Sequence, residues 1–472
     1  MFEKFRNNRR LTILIICLAS FMGFFDISIV NVSLPTMATY FNVDISLVTW
    51  VVLIYVLALA SFLIAFGSLA ERVGFKKIFL TGFLIFVIGS FLSGLSTNFN
   101  ELIFFRFIQA TGAAMFSALT AAMVANYLPS NNRGLYMGYV ATFASLGFAF
   151  GPVIGGFITE YINFHWIFFI NVPVGIIGII LGMGVLEELK NPDIKDPFDY
   201  LGVILLFIAQ AALIFALNRG LALGWTSVLI LGSIVASVIC WILFIWRESK
   251  YISPLLNLNL LRNRNISLPT ASNFFFNMPN AGVLVLFPFY LELVKGFQVS
   301  QVGIILAILP LAVLIIGPIA GKLSDRIQPN RISALGALIG VISLLLLSTL
   351  NVSTSLPYIA VTLFILGASV ALYNPPNMKF IMGESPKEMR GVTSGIVTTA
   401  RMTANAFGVA ILQTAAVVGI YLYAGGVINK INIPPDQIVN GFHVAYLVGA
   451  GIIVISLILI LLVKKDNKIV TK

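Results

Sequence analysis

Runs of about twenty predominantly apolar residues, each closed by a short polar break, recur along the whole chain. In hydrocarbon every backbone N–H and C=O needs a partner within the protein. An uninterrupted run of this kind therefore folds as an α-helix, and about twenty residues at 1.5 Å each cross a ~30 Å bilayer core. Fourteen such spans are expected, beginning near residues 11, 46, 77, 101, 134, 166, 200, 226, 266, 299, 332, 357, 390 and 441. Strand-type alternation is absent, which argues against a membrane barrel. Only 10% of residues are charged, whereas a soluble domain carries roughly 25%. The expected class is an all-α polytopic membrane protein whose solvent is the lipid bilayer.

The charges orient the spans. An even number of crossings leaves both ends on one side. With the N-terminus taken as inside, 24 of the 29 Lys/Arg fall in inner segments. Only Arg219, Lys295 and Lys430 fall outside, while Arg106 and Arg401 lie within spans. Lys/Arg bias then predicts cytoplasmic termini in a cell membrane, plasma or inner. The same scatter accounts for the net charge of +11 without a basic domain, so no nucleic-acid partner is expected. The opening MFEKFRNNRR has the look of a signal n-region. However, the apolar run behind it is too long and lacks a small-residue cleavage site, so a retained first helix is expected. Cys17 and Cys240 fall inside spans as packing residues. There is no G-x-x-x-x-G-K-[ST] phosphate loop and no Cys/His/Asp cluster with metal spacing, and His165 and His443 are isolated. No cofactor, no metal and no enzymatic chemistry are expected.

The chain also repeats itself. GSLAERV from Gly67 matches GKLSDRI from Gly321 at an offset of 254 residues. RGLYMGYVATFASLGFAFG from Arg133 matches RGVTSGIVTTARMTANAFG from Arg390 at an offset of 257, with eight of nineteen positions identical. Two offsets this close indicate a duplicated six-helix unit. The expected organisation is a bundle over 1–190, two inserted helices with cytoplasmic linkers over 191–265, and a second bundle over 266–472. Parallel six-helix halves are a transporter plan, with the substrate site near the bilayer midplane between them.

The ionisable residues inside the spans carry the chemistry. An ionised acid at the centre of a membrane helix costs about 2.5–3.5 kcal/mol on insertion scales, so it is a functional candidate. Of eighteen acidic residues, only Asp26 is expected deep in a span, roughly 22 Å beyond Leu11 and somewhat outside the midplane. Arg106 in the fourth span should lie at similar depth. Desolvation opposes ionisation of a buried acid and a nearby Arg favours it. A site whose desolvation changes during transport can therefore take a proton on one side and release it on the other. A static ion pair and a direct substrate contact remain alternatives. Arg401 aligns with Ala144 in the repeat, so the duplicated unit does not require it. It can neutralise an acid, meet a negative substrate group or bond backbone carbonyls. Asn273, Asn277 and Asn280 share one face of the ninth span, with Phe276 beside them. They fit either interhelical hydrogen bonding or a cavity wall. Gly147, Gly151 and Gly155 recur every four residues beside Pro152 and Gly156, a pattern for close helix approach and a bend.

Several stretches resemble one family, the major facilitator superfamily, and within it the fourteen-helix drug/proton antiporters of multidrug efflux type. GSLAERVGFKK (Gly67 to Lys77) is similar to its G-x-L-A-D-R-x-G-x-K/R-K/R loop, RFIQATGAA (Arg106 to Ala114) to its fourth-helix motif, and GFAFGPVIGG (Gly147 to Gly156) to its exporter motif. DISIVNVSLP (Asp26 to Pro35) and HWIFFINVPVG (His165 to Gly175) resemble signatures of the fourteen-helix group. Glu71 stands where the family usually has Asp, and His165 where it often has Arg. The resemblance implies a major facilitator fold of two six-helix bundles plus two inserted helices. It implies that spans 1 and 4 flank one cavity, where Asp26 and Arg106 meet or exchange partners. It also implies a conformational latch at Gly67, Glu71, Arg72, Gly74 and Lys76, repeated at Asp325 and Arg326 and partnered by the start of span 13 near Arg390. A topogenic charge cluster explains the same residues. The function implied is proton-coupled export of small amphiphilic or lipophilic compounds by a monomer, with protons as the coupling ion. A specific metabolite uniporter or symporter is the alternative, and a channel-like or lipid-handling protein a more distant one.

Overall fold

A computed structural model describes residues 8–129, 133–189, 196–256, 258–386, 389–423 and 434–463. Lys430, assigned to an outer loop above, lies outside these residues. Among the described residues, the fourteen apolar runs form fourteen helices of membrane-crossing length. These are α1 (Arg9–Val32), α2 (Ile45–Val73), α3 (Phe75–Gly94), α4 (Phe99–Tyr127), α5 (Arg133–Tyr161), α6 (Trp166–Val185) and α7 (Tyr200–Leu223). They continue as α8 (Val228–Lys250), α9 (Arg264–Val294), α10 (Val299–Arg326), α11 (Pro329–Leu347), α12 (Leu356–Glu384), α13 (Arg390–Tyr423) and α14 (Pro435–Leu461).

Local chemistry sets the ends. Asn8 caps α1, its side chain accepting from the Arg10 and Leu11 amides. Asn98 caps α4 by accepting from Glu101 N at 3.0 Å, and Glu101 reaches back to Thr97 N at 3.0 Å, a reciprocal arrangement of capping-box type. The α14 helix starts at Pro435, ahead of the expected position near 441. Pro at the first helical position has its φ preset and Asp436 complements the helix N-terminus, so polar residues before the apolar run already join the helix. Beyond Ser33, α1 resumes as the short helix Leu34–Phe41. Asp26 consequently stands near the middle of the combined run Arg9–Phe41, not towards the end of a shorter span.

The chain divides into two compact units. The first comprises residues 1–213, 232–256 and 298–304, the second 214–231, 257–297 and 305–472. This division does not follow the sequence boundaries at 190 and 265, because residues of the inserted pair fall in both units. In the first unit, α1 to α4 close around a core that includes Phe79, Phe83, Phe86 and Phe116, all fully buried. Glycines admit the close approach of α5 to α1. A Cβ at Gly147 would strike the Phe21 carbonyl, one at Gly151 would strike Ser28 Oγ, and one at Gly155 would lie 2.7 Å from Ile29. Gly156 turns the neighbouring side of α5 to the backbone at Val299 and Ser300. Pro152 lies inside the same helix. In the second unit, α9 carries Pro269, Pro279 and Pro288 and ends in a π-helical turn, Tyr290–Val294.

Candidate functional site

The first unit holds a polar centre inside its apolar core. Arg106 Nη1 donates to Asp26 Oδ2 at 2.7 Å, with the two side chains 1% and 0% exposed. Asp26 Oδ1 accepts from Gln109 Nε2 at 2.7 Å and from Asn171 Nδ2 at 2.9 Å. The carboxylate thus has three donors from two helices besides its own. Arg106 also donates to Gln109 Oε1 at 2.7 Å and to the Val51 carbonyl at 3.2 Å. Its guanidinium lies 4.3 Å from the Tyr55 ring centroid and 5.6 Å from that of Phe168. Ser90 Oγ closes the network, accepting from Gln109 at 3.0 Å and Asn171 at 3.3 Å and donating to the Phe168 carbonyl at 2.8 Å.

Each helix supplies its member for a local reason. Arg106 and Gln109 are three apart on α4 and share a face. At Gly89 the α3 backbone lies against Gln109, which puts the adjacent Ser90 within reach. Asn171 opens the second helical segment of α6, just past the turn at Ile170.

The pairing of Asp26 with Arg106 is as expected from the sequence. Their surroundings are not, because the pair is sealed in the interior of one unit, with both side chains almost fully buried. Asp26 is also not alone as a buried carboxylate. Asp199 and Glu248 are 1% and 3% exposed near the ends of α7 and α8, and Glu292 Oε1 is buried without a hydrogen bond in the π-helical turn of α9. Arg247 balances the first pair through Asp199 at 2.6 Å. Gln109, Asn171, Ser90 and Tyr55 were missed in the sequence. Gln109 and Asn171 lie within quoted motifs, and Gln109 was legible from its spacing to Arg106. Ser90 and Tyr55 give no local signal.

The second unit contains a small cavity of about 80 Å³ lined by Asn273, Asn374, Met378, Val397, Thr398 and Arg401. The asparagine stripe of α9 divides. Asn273 and Asn277 both donate to Asn374 Oδ1, at 3.1 and 3.2 Å. Asn280 turns back to the Phe276 carbonyl at 2.7 Å, and Phe276 stacks on Tyr373 with centroids 3.8 Å apart. Asn277, Asn280 and Phe276 are therefore interhelical or intrahelical packing, and of the expected group only Asn273 and Arg401 line the cavity.

The loop between α2 and α3 docks within its own unit. Arg72 donates to the Ser68 carbonyl at 2.8 Å, the Asp196 carbonyl at 3.2 Å and Ser253 Oγ at 2.8 Å. Lys76 Nζ donates to the carbonyls of Met183 and Leu186 at 3.0 and 2.6 Å, capping the end of α6. Gly74 has φ of 122°, and the Glu188 carboxylate occupies the place a Cβ would take, so only glycine fits there. Gly67 has open space around it, and Glu71 is exposed. In the second unit Asp325 pairs with Lys379 at 2.5 Å, whereas Arg326 is exposed. The expected latch partner near Arg390 belongs to the other unit. His165, between α5 and α6, stacks on Phe164 and contacts Asn163 Oδ1 and the Ser96 carbonyl. Burial pushes its pKa down, and the Ser96 contact opposes this.

Fourteen membrane-length helices, a buried ion pair in one unit and a polar cavity in the other are the parts of a membrane carrier. The family model of the Major Facilitator Superfamily matches residues 16–409, and the chain belongs to that superfamily. It is a multi-pass membrane transporter of small molecules and not an enzyme. It is 32% identical over 404 residues to the riboflavin transporter RibZ of Clostridioides difficile strain 630, covering 86% of this chain and 87% of that protein. It is 30% identical over 418 residues to the methylenomycin A resistance protein of Bacillus subtilis strain 168, covering 88% and 89%. The multidrug resistance protein Stp of Mycobacterium tuberculosis H37Rv matches at 30% over 403 residues, with 85% and 75% covered. The fold is shared with a D-xylose–proton symporter at a TM-score of 0.69 and 15% identity, covering 98% and 99% of the two chains.

Proposed function

We propose that the protein is a proton-coupled exporter that exchanges protons for small amphiphilic or lipophilic compounds by alternating access. In this proposal it acts as a monomer in the cell membrane with both termini cytoplasmic. The observation that carries it is the Asp26–Arg106 pair, fully buried and bound by Gln109 and Asn171. A buried ion pair is poor evidence for stability, since desolvation offsets much of its Coulomb gain. Its retention inside a membrane helix bundle fits a working group.

The surrounding groups suit a proton that comes and goes. When Asp26 is ionised it accepts from three donors. When it takes a proton, Arg106 keeps the Gln109 carbonyl, the Val51 carbonyl and the Tyr55 ring already beside it. Neutralisation therefore does not strand the guanidinium. Because Asp26 is 0% exposed, protonation calls for another state of the cycle. Linking proton access to a conformational change is what exchange requires.

The names of the relatives support export, since two are resistance proteins against methylenomycin A and multiple drugs. A second proposal, a carrier for one metabolite, is favoured by the riboflavin transporter among them. Reconstitution separates the two. Wild-type protein and Asp26→Asn are placed in proteoliposomes with an imposed proton gradient and a panel of cationic, neutral and anionic dyes plus riboflavin. Gradient-driven flux of several dyes, lost in Asp26→Asn while counterflow persists, supports the exporter. Unchanged gradient-driven flux in the Asn form would sink the coupling role, and flux of riboflavin alone favours the single-metabolite carrier.

A further inference from the structure

Arg401 stands on α13 within a membrane-crossing helix, half-buried, and lines the cavity of the second unit. Among the described residues it has no hydrogen bond, ion pair or ring contact. Two acids of the same unit are engaged with other partners. Asp325 is paired with Lys379 at 2.5 Å, and Glu384 Oε2 accepts from Asn265 at 3.0 Å. A guanidinium within a membrane helix is costly without a partner, by about 2.5–3.5 kcal/mol or more. Its alignment with Ala144 in the first unit shows that the duplicated fold does not need it.

The neighbouring groups describe what the cavity lacks. Asn273 is 4% exposed, its Nδ2 bonded to Asn374 and its Oδ1 buried without a partner. Asn374 donates to Asn277 Oδ1 at 3.3 Å, so the amide cluster is oriented from behind. Thr398 adds a hydroxyl and Met378 and Val397 an apolar wall. The cavity therefore has one uncompensated cation, a lining amide whose buried oxygen is unpaired, and apolar sides. Its volume of about 80 Å³ admits a headgroup, not a whole drug-sized molecule.

We propose that this cavity is the headgroup subsite for an organic anion, with Arg401 holding a carboxylate or comparable oxyanion and Asn273 Oδ1 accepting from a donor beside it. The inference rests on the transport reading above and narrows its substrate class. Amphiphilic anions, not the lipophilic cations that a lone acid would attract, are bound here. Arg401 is suited to this because its planar donor fork matches a carboxylate in two places at once.

The test uses 1-naphthoate and its neutral isostere 1-naphthamide as probes. Binding to the purified full-length protein and counterflow in proteoliposomes are measured at equal pH on both sides. No proton gradient is present, so failure of the coupling proposal leaves this experiment intact. Wild type is expected to bind naphthoate saturably. Arg401→Gln should weaken naphthoate about ten-fold or more, from the loss of a charge-assisted hydrogen bond, while leaving naphthamide within two-fold. Arg401→Lys should retain part of the preference. If Arg401→Gln does not fold, Asn273→Asp supplies the comparison, since a carboxylate beside Arg401 should abolish naphthoate binding selectively. Absence of saturable naphthoate binding, or equal weakening of both probes by these variants, overturns the proposal.

Discussion

The Asp26–Arg106 pair allows a thermodynamic test whose magnitude follows from its geometry. At 2.7 Å, unit charges attract by about 6 kcal/mol at an effective dielectric of ~20, before the cost of desolvating both. Breaking a buried pair by removing one partner typically costs about 3–5 kcal/mol, because the other charge is left behind. Here each survivor keeps neutral partners. Arg106 retains the Gln109 and Val51 carbonyls, and Asp26 retains the Gln109 and Asn171 amides. The single substitutions Asp26→Asn and Arg106→Gln are therefore expected at the lower end of that range. The double substitution removes both charges and should recover a coupling energy of about 2–4 kcal/mol relative to the sum of the singles. The assay is reversible denaturation in detergent micelles followed by the fluorescence of the five tryptophans. Transport assays on the same four proteins show whether stability and coupling separate. Additivity of the two singles to within about 0.5 kcal/mol would falsify the account, because it would mean the pair is screened as surface pairs are.

Two further outcomes are expected. Gly151→Val drives a side chain into Ser28 and Ile29 of α1, and should destabilise by about 1–3 kcal/mol or more. Gly134→Ala, where a Cβ meets nothing within 4 Å, should cost nothing measurable in the same melting assay; equal loss from both would refute the close-packing argument. His165 has a folded pKa below its ordinary value, so the unfolded chain takes up this proton first. Its contribution to stability is present above pH ~6.5 and is lost as pH falls through the lower folded value. His165→Gln should flatten this slope in melting temperature against pH, and an unchanged slope counts against it.

Helix count and helix type were legible because hydrocarbon leaves the backbone one regular solution and the apolar runs have the length to cross. Asp26 was legible as a candidate because an ionisable residue in such a run is expensive. Its partner Arg106 was legible for the same reason, although the two are 80 residues apart in the sequence. Gln109 follows from helical spacing once Arg106 is chosen. Asn171 and Ser90 do not, since no local pattern states which side chains of other helices join the network around one carboxylate. Periodicity put Asn273, Asn277 and Asn280 on one face, but not where each amide points. Asn280 donates back to its own helix and Asn273 across to Asn374, and the Oδ1 of each is buried without a partner. The acid–base pair expected from Asp325 and Arg326 was drawn from adjacent residues, whereas the structure supplies Lys379 from another helix.

By itself, then, the amino-acid order determined a membrane protein of fourteen apolar spans with one acid deep in the first, because hydrophobic run length and burial cost act along the chain. Only tertiary structure decided that Asp26 is sealed with three donors while Arg401 lines a cavity with no acceptor bonded to it among the described residues. Both are single ionisable residues in apolar helices, and their local sequences do not distinguish them. The difference comes from which neighbouring helices bring an oxygen or an amide within about 3 Å, and that is a property of packing.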